Sequence, residues 1–256
     1  MIITTGLEPN QLTCEHAEQL AKQFGLPLIK RRDESLANLR RKYQVDAILV
    51  VSAKGARMEQ EGKLSFFFHP NTAAFRIKRL ERGDTDTMLS ACQIQTGDTV
   101  LDATVGLGSD SIVFSHAVGA SGRVVGLESE RMIALLVADG LSKWQGTPSL
   151  TEAMRRVEIV ACDHMSYLKE QPDKSFDVVY FDPMFELAIE ESSGISGMRE
   201  FANHTPLQQA AIDEALRVAR RRVVLKEGKT GKLYERYGFL PFRNREHHVV
   251  YSYRDV

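Results

Sequence analysis

From residue 99 to residue 253, short apolar runs alternate with helical stretches in a regular rhythm. The apolar runs, such as VVYF at 178–181 and VVL at 223–225, are rich in β-branched and aromatic residues. Runs of this kind, separated by helices, are typical of parallel strands that are covered on both faces. The pattern therefore predicts a doubly wound α/β fold with a mostly parallel, Rossmann-like sheet.

The same alternation predicts how the chain is divided. In the larger part we predict strands at 99–102, 124–128, 157–161, 177–181, 222–226 and 248–253, with helices near 109–118, 129–143, 206–219 and 229–237. In the earlier part we predict strand-like runs at 1–5, 26–29, 46–52 and 63–69, with helical stretches at 11–24 and 71–95. We therefore expect a smaller α/β extension over residues 1–75, a candidate substrate-binding part, followed by a larger α/β domain over residues 76–256.

Composition excludes several classes of protein. The 256 residues include 33 Lys and Arg against 34 Asp and Glu, so the formal net charge is −1. No apolar stretch approaches the roughly 20 residues that a membrane helix requires, and the first residues lack the features of a signal peptide. Cys14, Cys92 and Cys162 are far apart and odd in number, which fits neither a disulfide framework nor a metal knuckle. We expect a cytoplasmic protein without a membrane span or a metal site.

The first predicted strand of the larger part leads into a glycine-containing turn. The strand ends in Asp102, and the turn contains Gly106 and Gly108 before a helix begins. Glycine reaches positive φ and lets a ligand approach the backbone, and open α/β sheets bind ligands at the carboxyl ends of their strands. Twenty residues after Gly108, the next strand ends in Glu128, whose carboxylate can accept hydrogen bonds from both hydroxyls of a ribose. The two features together predict a nucleoside site.

Two details distinguish among the cofactors that such a turn binds. The dinucleotide fingerprint needs a third glycine, but Ser111 stands at that position. Asp102 closes the strand just before the turn, where a carboxylate is a poor neighbour for a pyrophosphate and a good one for an amino acid's ammonium group. A methionine-derived sulfonium cofactor, S-adenosylmethionine, therefore fits better than NAD or FAD.

The third predicted strand also ends in an acid, because VEIVACDH at 157–164 places Asp163 after the apolar run. In a nucleoside site this carboxylate can accept the adenine amino group, while the backbone N–H that follows faces a ring nitrogen. Asp is also a favoured residue at the N-terminus of a helix, where it caps the free backbone N–H groups. The sequence leaves both interpretations of Asp163 open.

The fourth predicted strand is followed by the sequence DPMF at 182–185. Proline lacks an N–H and fixes φ, so the turn leaves carbonyl groups directed into the crevice. Asp182 and the Pro183 carbonyl can accept both hydrogens of a planar exocyclic amine, and Phe185 offers a face for base stacking, worth about 1–3 kcal/mol. Methyl transfer from a sulfonium then requires mainly alignment. This predicts a catalytic corner, and the alternative is a strand-ending turn with a buried Phe.

With these motifs, the chain resembles the class I S-adenosylmethionine-dependent methyltransferases over about residues 66–253. It is most similar to the bacterial small-subunit (16S) ribosomal RNA guanine-N2 methyltransferases of the J type. The resemblance rests on DATVGLG at 102–108, YFDPMF at 180–185 and RRVVLK at 221–226. It implies an S-adenosylmethionine-dependent N-methyltransferase acting on ribosomal RNA.

The resemblance also implies roles for individual residues. The base site is expected at Asp182, Pro183 and Phe185. With the residues of the glycine turn included, the expected cofactor contacts are Asp102, Thr104, Gly106, Gly108, Ser109, Asp110, Glu128, Ser129, Asp163, His164 and Asp182.

The substrate is less constrained than the cofactor. The basic clusters at 30–32, 40–42, 76–82 and 217–222 are candidates for gripping RNA, or are ordinary solvated surface. Ser109 stands where the family usually has Arg, and Glu186, Glu190 and Glu191 follow the DPMF corner where the family has a lysine-bearing loop. Acidic residues are awkward beside RNA phosphates and favour a small-molecule amine as the alternative acceptor. A nucleotide-binding protein without methyltransferase activity is the third hypothesis.

Overall fold

A computed structural model describes residues 1–183, 206–242 and 249–256, and every structural statement below concerns these ranges. The first part of the chain builds a four-stranded sheet in the order β1-β2-β3-β4, with β1 parallel to β2 and the other neighbours antiparallel. Its strands are β1 (Ile2–Thr5), β2 (Ala47–Ser52), β3 (Gly55–Gln60) and β4 (Phe66–Phe67), and its helices are α1 (Gln11–Phe24) and α2 (Leu36–Tyr43). Helices α3 (Thr72–Leu80) and α4 (Thr87–Cys92) lead on to the larger sheet.

The larger sheet has seven strands in the order β10-β11-β9-β8-β5-β6-β7. They are β5 (Thr99–Asp102), β6 (Arg123–Glu128), β7 (Val157–Ala161), β8 (Phe176–Phe181), β9 (Ala219–Gly228), β10 (Leu240–Pro241) and β11 (Val249–Asp255). Strands β5 to β9 run parallel, whereas β11 is antiparallel to β9 and to β10. The predicted doubly wound, mostly parallel α/β fold is confirmed.

Helices cover both faces of the larger sheet and explain its continuous apolar strands. The helices are α5 (Ser109–Val118), α6 (Arg131–Lys143), α7 (Pro148–Arg156), α8 (His164–Glu170), α9 (Gln209–Val218) and α10 (Leu233–Arg236). Alternate strand residues point to opposite faces, so Val100 and Val178 join the core with α5 to α7, while Leu101 and Val179 pack with α8 and α9.

The core under α5 to α7 continues into the first sheet. Ile3, Met58 and Phe66 belong to the same apolar cluster as Ile133 of α6. Gly140 permits this close approach, since a Cβ there would collide with the ring of Phe68. The first sheet therefore packs against α6, one of the helices that cover the larger sheet, and the boundary near residue 75 stays a prediction.

Two sequence predictions for the first part of the chain are wrong in detail. The expected helical stretch 71–95 is two helices, because the chain turns at Gly83 with φ of 89° and Asp86 then caps α4 by accepting a hydrogen bond from the N–H of Leu89. The run 63–69 contributes only β4, which pairs with β3. Strand β3 was not predicted, because only two of its six residues, Ala56 and Met58, are apolar and buried.

The remaining differences between the predicted and the observed elements concern short segments in both parts of the chain. The run 26–29 forms only an isolated bridge between Leu28 and Ile3. Helices α2, α7 and α8 were not predicted, and each has nine residues or fewer, which offers few turns for an apolar period to emerge. Within the described ranges, no helix is both long and apolar enough to span a bilayer.

Candidate active site

At the carboxyl edge of the larger sheet, β5 ends earlier than its two neighbours, β6 and β8, which leaves a gap between them. Asp102, the last residue of β5, lies level with Gly126 on β6 and with Tyr180 on β8. Glu128 and Asp182 follow two residues later on those neighbouring strands, so both extend past the end of β5. The glycine turn occupies the gap between them, as the strand-end argument predicted.

The glycine turn is seated directly on the sheet. Gly106 and Gly108 have φ of 51° and 79°, and Gly108 caps the N-terminus of α5 in the left-handed conformation. The N–H of Val105 donates to the carbonyl of Leu127 at 2.9 Å. A Cβ on Gly126 would lie 2.7 Å from Val105 Cγ2, so glycine at this point of β6 lets the turn approach. The turn can therefore present its backbone to a ligand.

Asp102 lies buried beneath this turn and holds its shape. One carboxylate oxygen accepts the hydroxyl of Ser111 at 2.6 Å, and the other accepts the N–H of Thr104 at 3.2 Å. Burial raises the pKa of the Asp102 carboxyl to about 7, because the two hydrogen bonds offset only part of the desolvation. Ser111, which replaces the third glycine, therefore anchors the carboxylate that the sequence singled out.

Glu128 is held in position by its own backbone. Its Oε1 accepts the N–H of Glu130 at 2.9 Å and the hydroxyl of Ser129 at 3.5 Å. The backbone N–H of Ser129 also stabilises the charged form of this carboxylate, but burial has the larger effect and raises the pKa of the Glu128 carboxyl. An oriented carboxylate beside a turn of left-handed glycines fits the nucleoside end of S-adenosylmethionine.

Asp163 and His164 lie one strand further out, at the start of α8. Asp163 caps this helix by accepting the N–H of Met165 at 2.7 Å, which is the second of the two interpretations that the sequence left open. The His164 ring stands edge-on to Phe181, with centroids 5.8 Å apart, and burial lowers its pKa. A role for either residue in holding adenine stays a prediction.

The end of β8 is tied to the glycine turn. The N–H of Asp182 donates to Thr104 Oγ1 at 2.6 Å, and the carboxylate Oδ2 of Asp182 accepts Lys226 Nζ at 2.6 Å. Pro183 follows at a half-buried position. Phe185 and the acidic residues 186, 190 and 191 lie outside the described residues. The structure thus brings Thr104 and Asp182 together, and the predicted stacking ring stays a prediction.

Asp110, in the first turn of α5, lies at the centre of a charged cluster. Its carboxylate is bonded to Arg76 Nη1 at 2.5 Å, to the hydroxyl of Tyr180 at 2.8 Å and to Lys226 Nζ at 3.1 Å. Burial acts to raise the pKa of this carboxyl, but Lys226 and Arg76 outweigh it and lower the pKa. The preceding residue, Ser109, donates to the carbonyl of Pro70 at 3.3 Å.

Residues 19–237 match the protein family described as "Putative SAM-dependent methyltransferase". This chain belongs to that family. Its cofactor is S-adenosylmethionine, and it is a class I methyltransferase that resembles the small-subunit ribosomal RNA methyltransferases J.

Individual relatives cover most of the methyltransferase. YpiP of Bacillus subtilis, named as uncharacterized, is 41% identical over 239 residues, 93% of each chain. The "Ribosomal RNA small subunit methyltransferase J" of Dechloromonas aromatica is 30% identical over 200 residues, 74% of this chain and 80% of the relative. Relatives of the same name from Acinetobacter baumannii match at 33% over 141 residues, only 46% of their length. The solved SAM-dependent methyltransferase NGO1261 of Neisseria gonorrhoeae shares the fold, with a TM-score of 0.66 at 19% identity, covering 100% of this chain and 96% of that one.

Three residues of the methyltransferase site were missed by the sequence analysis. Lys226 and Tyr180 belong to quoted motifs, yet neither was among the predicted site residues, because the argument from strand ends considered acids and not cations or hydroxyls. Applying the same rule to cations would have found Lys226, because it follows the apolar run of β9. Arg76 lies on α3, and nothing in the sequence connects it with Asp110. Its pairing is a property of the tertiary structure.

The arginines of one candidate RNA-binding cluster, 217–222, form ion pairs within the fold. Each arginine of the 217–222 segment pairs with an acid, through the ion pairs Arg217–Asp173, Arg217–Glu214, Arg220–Asp177, Arg221–Asp98 and Arg222–Asp255. These contacts join β9 and α9 to neighbouring elements. Arg76 of the 76–82 cluster is likewise paired, with Asp86 and Asp110, so the candidates for contacts with a polyanion are the clusters at 30–32 and 40–42 and the exposed Lys78, Arg79 and Arg82.

We expect cofactor affinity to depend on pH through Asp102. Below a pKa of about 7 this carboxyl is mostly protonated, so attraction to the cofactor's ammonium requires loss of the proton. The association constant for S-adenosylmethionine should therefore rise about fivefold from pH 6 to pH 7. Calorimetry across this range measures the effect, and Asp102→Asn should give a flat profile. A wild-type affinity that does not change would contradict the expected contact.

We expect Glu128→Gln to weaken binding of S-adenosylmethionine by roughly 10- to 150-fold, because hydrogen bonds to a charged group contribute about 1.5–3 kcal/mol. The catalytic constant at saturating cofactor should change less than twofold. Glu130→Gln is the matched control, since that side chain is exposed on the same segment and should retain wild-type affinity. Equal loss of affinity in both variants would show that Glu128 does not hold the ribose.

Proposed function

We propose that this methyltransferase modifies an exocyclic amino group of a base, the N2 of a guanine, in small-subunit ribosomal RNA. The observation that carries the proposal is the 2.6 Å hydrogen bond from the Asp182 N–H to Thr104 Oγ1. It fixes the start of the DPMF corner against the glycine turn. An amine bound at this corner therefore lies beside the cofactor's turn.

The residues at the corner suit an amine acceptor. The Asp182 carboxylate can accept one amine hydrogen and the Pro183 carbonyl the other, which aligns the nitrogen lone pair. The bound cofactor supplies a sulfonium methyl group: transfer breaks the sulfur–methyl bond, forms a nitrogen–methyl bond and releases one amine proton. The chain contributes alignment of the acceptor and a negative charge at Asp182 facing the nitrogen as positive charge develops.

The relatives support RNA as the substrate class. Proteins named as small-subunit ribosomal RNA methyltransferases J match this chain over as much as 83% of its length at 30% identity. The exposed residues Arg32, Arg41 and Lys42 offer cations for phosphate groups on the N-terminal part.

The test uses S-adenosylmethionine with a tritiated methyl group and small-subunit ribosomal RNA isolated from a strain that lacks the gene. Label should enter this RNA, and after digestion to nucleosides it should co-migrate with N2-methylguanosine. The same RNA from the parent strain is the control and should accept little label, because its site is already modified.

Two results would contradict the proposal in different ways. Label in N6-methyladenosine or in a ribose O-methyl group would retain the RNA and reject the guanine amine. Label that enters only a small metabolite from a cell extract would reject RNA as the substrate and favour the small-molecule alternative.

A further inference from the structure

Lys226 is a buried cation between two carboxylates at the carboxyl edge of the sheet. Its side chain is 18% exposed, and Nζ lies 2.6 Å from Asp182 Oδ2 and 3.1 Å from Asp110 Oδ2. It extends from β9 at the level that follows the pair Phe181–Leu225, and it pairs with Tyr251 of β11 in the strand register. The backbone of Lys226 is therefore held between two neighbouring strands, β8 and β11, which limits where Nζ can lie.

The groups around Lys226 keep it charged. Burial acts to lower the pKa of its ammonium group, but Asp110 and Asp182 outweigh that effect, and the pKa is held well above its ordinary range. The other titratable groups of this cluster are Tyr251 on β11, Tyr180 on β8, Arg76 on α3 and Asp102 on β5. Burial raises the pKa of both tyrosines, so they stay neutral and Lys226 remains the cation nearest to Asp182 among the described residues.

We propose that Lys226 is a positioning residue of this active site, which holds the Asp182 carboxylate ionised and in a fixed orientation for the acceptor amine. The inference rests on the proposed function for the amine. A protonated carboxyl still accepts a hydrogen bond through its carbonyl oxygen, but only the ionised carboxylate has both oxygens as acceptors and carries the negative charge that attracts a developing positive charge. A neighbouring ammonium group favours this ionised form.

The ion pairs extend the role of Lys226 to the first part of the chain. Asp86 accepts two hydrogen bonds from Arg76, Arg76 reaches Asp110, and Asp110 reaches Lys226. Charges of alternating sign thus run from α4 to Asp182. Because Arg76 offsets much of the negative charge of Asp110, the positive charge of Lys226 acts mainly on Asp182. The N-terminal helices therefore contribute to the orientation of the acceptor carboxylate.

The first experiment needs no substrate. Protein labelled with ¹³C at aspartate carboxyl carbons is titrated by NMR, with the Asp182 signal assigned from its loss in Asp182→Asn. In Lys226→Met the Asp182 signal should titrate at least one pH unit higher than in the wild type, whereas in Lys226→Arg it should stay near the wild-type position. An Asp182 signal that does not move in Lys226→Met overturns the proposal.

A second variant keeps the test possible if Lys226→Met does not fold. The double variant Lys226→Met/Asp110→Asn removes one cation and one anion, so the buried net charge is unchanged while Asp182 still loses its ammonium. The Asp182 titration should still move upward there, by less than in Lys226→Met, because loss of the Asp110 charge acts in the opposite direction. Lys229→Met, three residues further along at an exposed position, is the matched control and should titrate like the wild type.

The second experiment measures methyl transfer to the hypomethylated ribosomal RNA as a function of pH. Lys226→Met should lower kcat about 10-fold or more at pH 7 and shift the acidic limb of the kcat–pH profile upward by about one pH unit. The affinity for S-adenosylmethionine should stay within about threefold of the wild type. A uniform loss at every pH would mean a purely structural role and overturn the proposal. If the wild type labels no RNA, the proposed function fails, and the NMR titration still decides the role of Lys226.

Discussion

Asp182→Asn should lower kcat about 10²- to 10³-fold while the dissociation constant for S-adenosylmethionine changes less than about threefold. The amide has the size of the carboxylate but carries no charge, so the developing positive charge on the acceptor nitrogen loses its partner. Loss of one preorganised electrostatic contact of this kind typically costs about that factor. Single-turnover methyl transfer and calorimetric binding of the cofactor measure the two quantities separately.

A matched control lies on the same strand. Asp177 is at the opposite end of β8, where it accepts the N–H and the hydroxyl of Thr99 at 2.7 Å. Asp177→Asn should retain kcat within about twofold. If Asp182→Asn weakened cofactor binding as strongly as it slowed transfer, the assignment of Asp182 to the acceptor side would be wrong.

Asp110→Asn should lower the free energy of unfolding by about 3–5 kcal/mol at pH 7, because it removes the anion that two buried cations share. Arg76 and Lys226 both bond this carboxylate, and its side chain is 12% exposed. Urea denaturation, followed by circular dichroism and by the fluorescence of Trp144, measures the change. The protein contains this single tryptophan, which is partly buried against the core, so the fluorescence reports one place in the structure.

The sign of the pH dependence follows from the lowered pKa of Asp110. Its contribution is present above the ordinary Asp pKa of about 4 and is lost as pH falls toward the native value. The variant should therefore approach the wild type in stability below pH 4. Glu158→Gln is the control, because its pair with Arg123 is half exposed and should contribute less than about 1 kcal/mol. Similar losses of unfolding free energy in the two variants would mean that the buried cluster contributes no more to stability than an exposed ion pair.

The sequence predicted those features that depend on neighbours along the chain. The strands β5 and β7 and the helices α1 and α5 have the predicted bounds, because each has a clear apolar run or period between recognisable ends. Asp102, Glu128 and Asp182 could be predicted as a group, since the carboxyl ends of parallel strands meet at one edge. The cofactor could be inferred from these residues and the glycine turn, whereas the family was inferred from a resemblance in DATVGLG, YFDPMF and RRVVLK.

The contacts across the sheet could not be predicted in the same way. Asp110 was expected to touch the cofactor through a resemblance, yet its carboxylate is bonded to Arg76, Tyr180 and Lys226. Its partners lie 34, 70 and 116 residues away in the chain, and no local period connects them. The strand order, which places β8 between β5 and β9, brings Tyr180 and Lys226 to Asp110, and the packing of α3 on α5 brings Arg76.

The amino-acid sequence by itself determined the α/β alternation, the glycine turn and the acids at the strand ends, because hydrophobic period and glycine backbone freedom act over a few residues. The tertiary structure alone decided which charges pair. It joined Arg76 and Asp110 to Lys226 and Asp182, because burial of charge requires a partner in space and the packed sheet supplies that partner from distant segments.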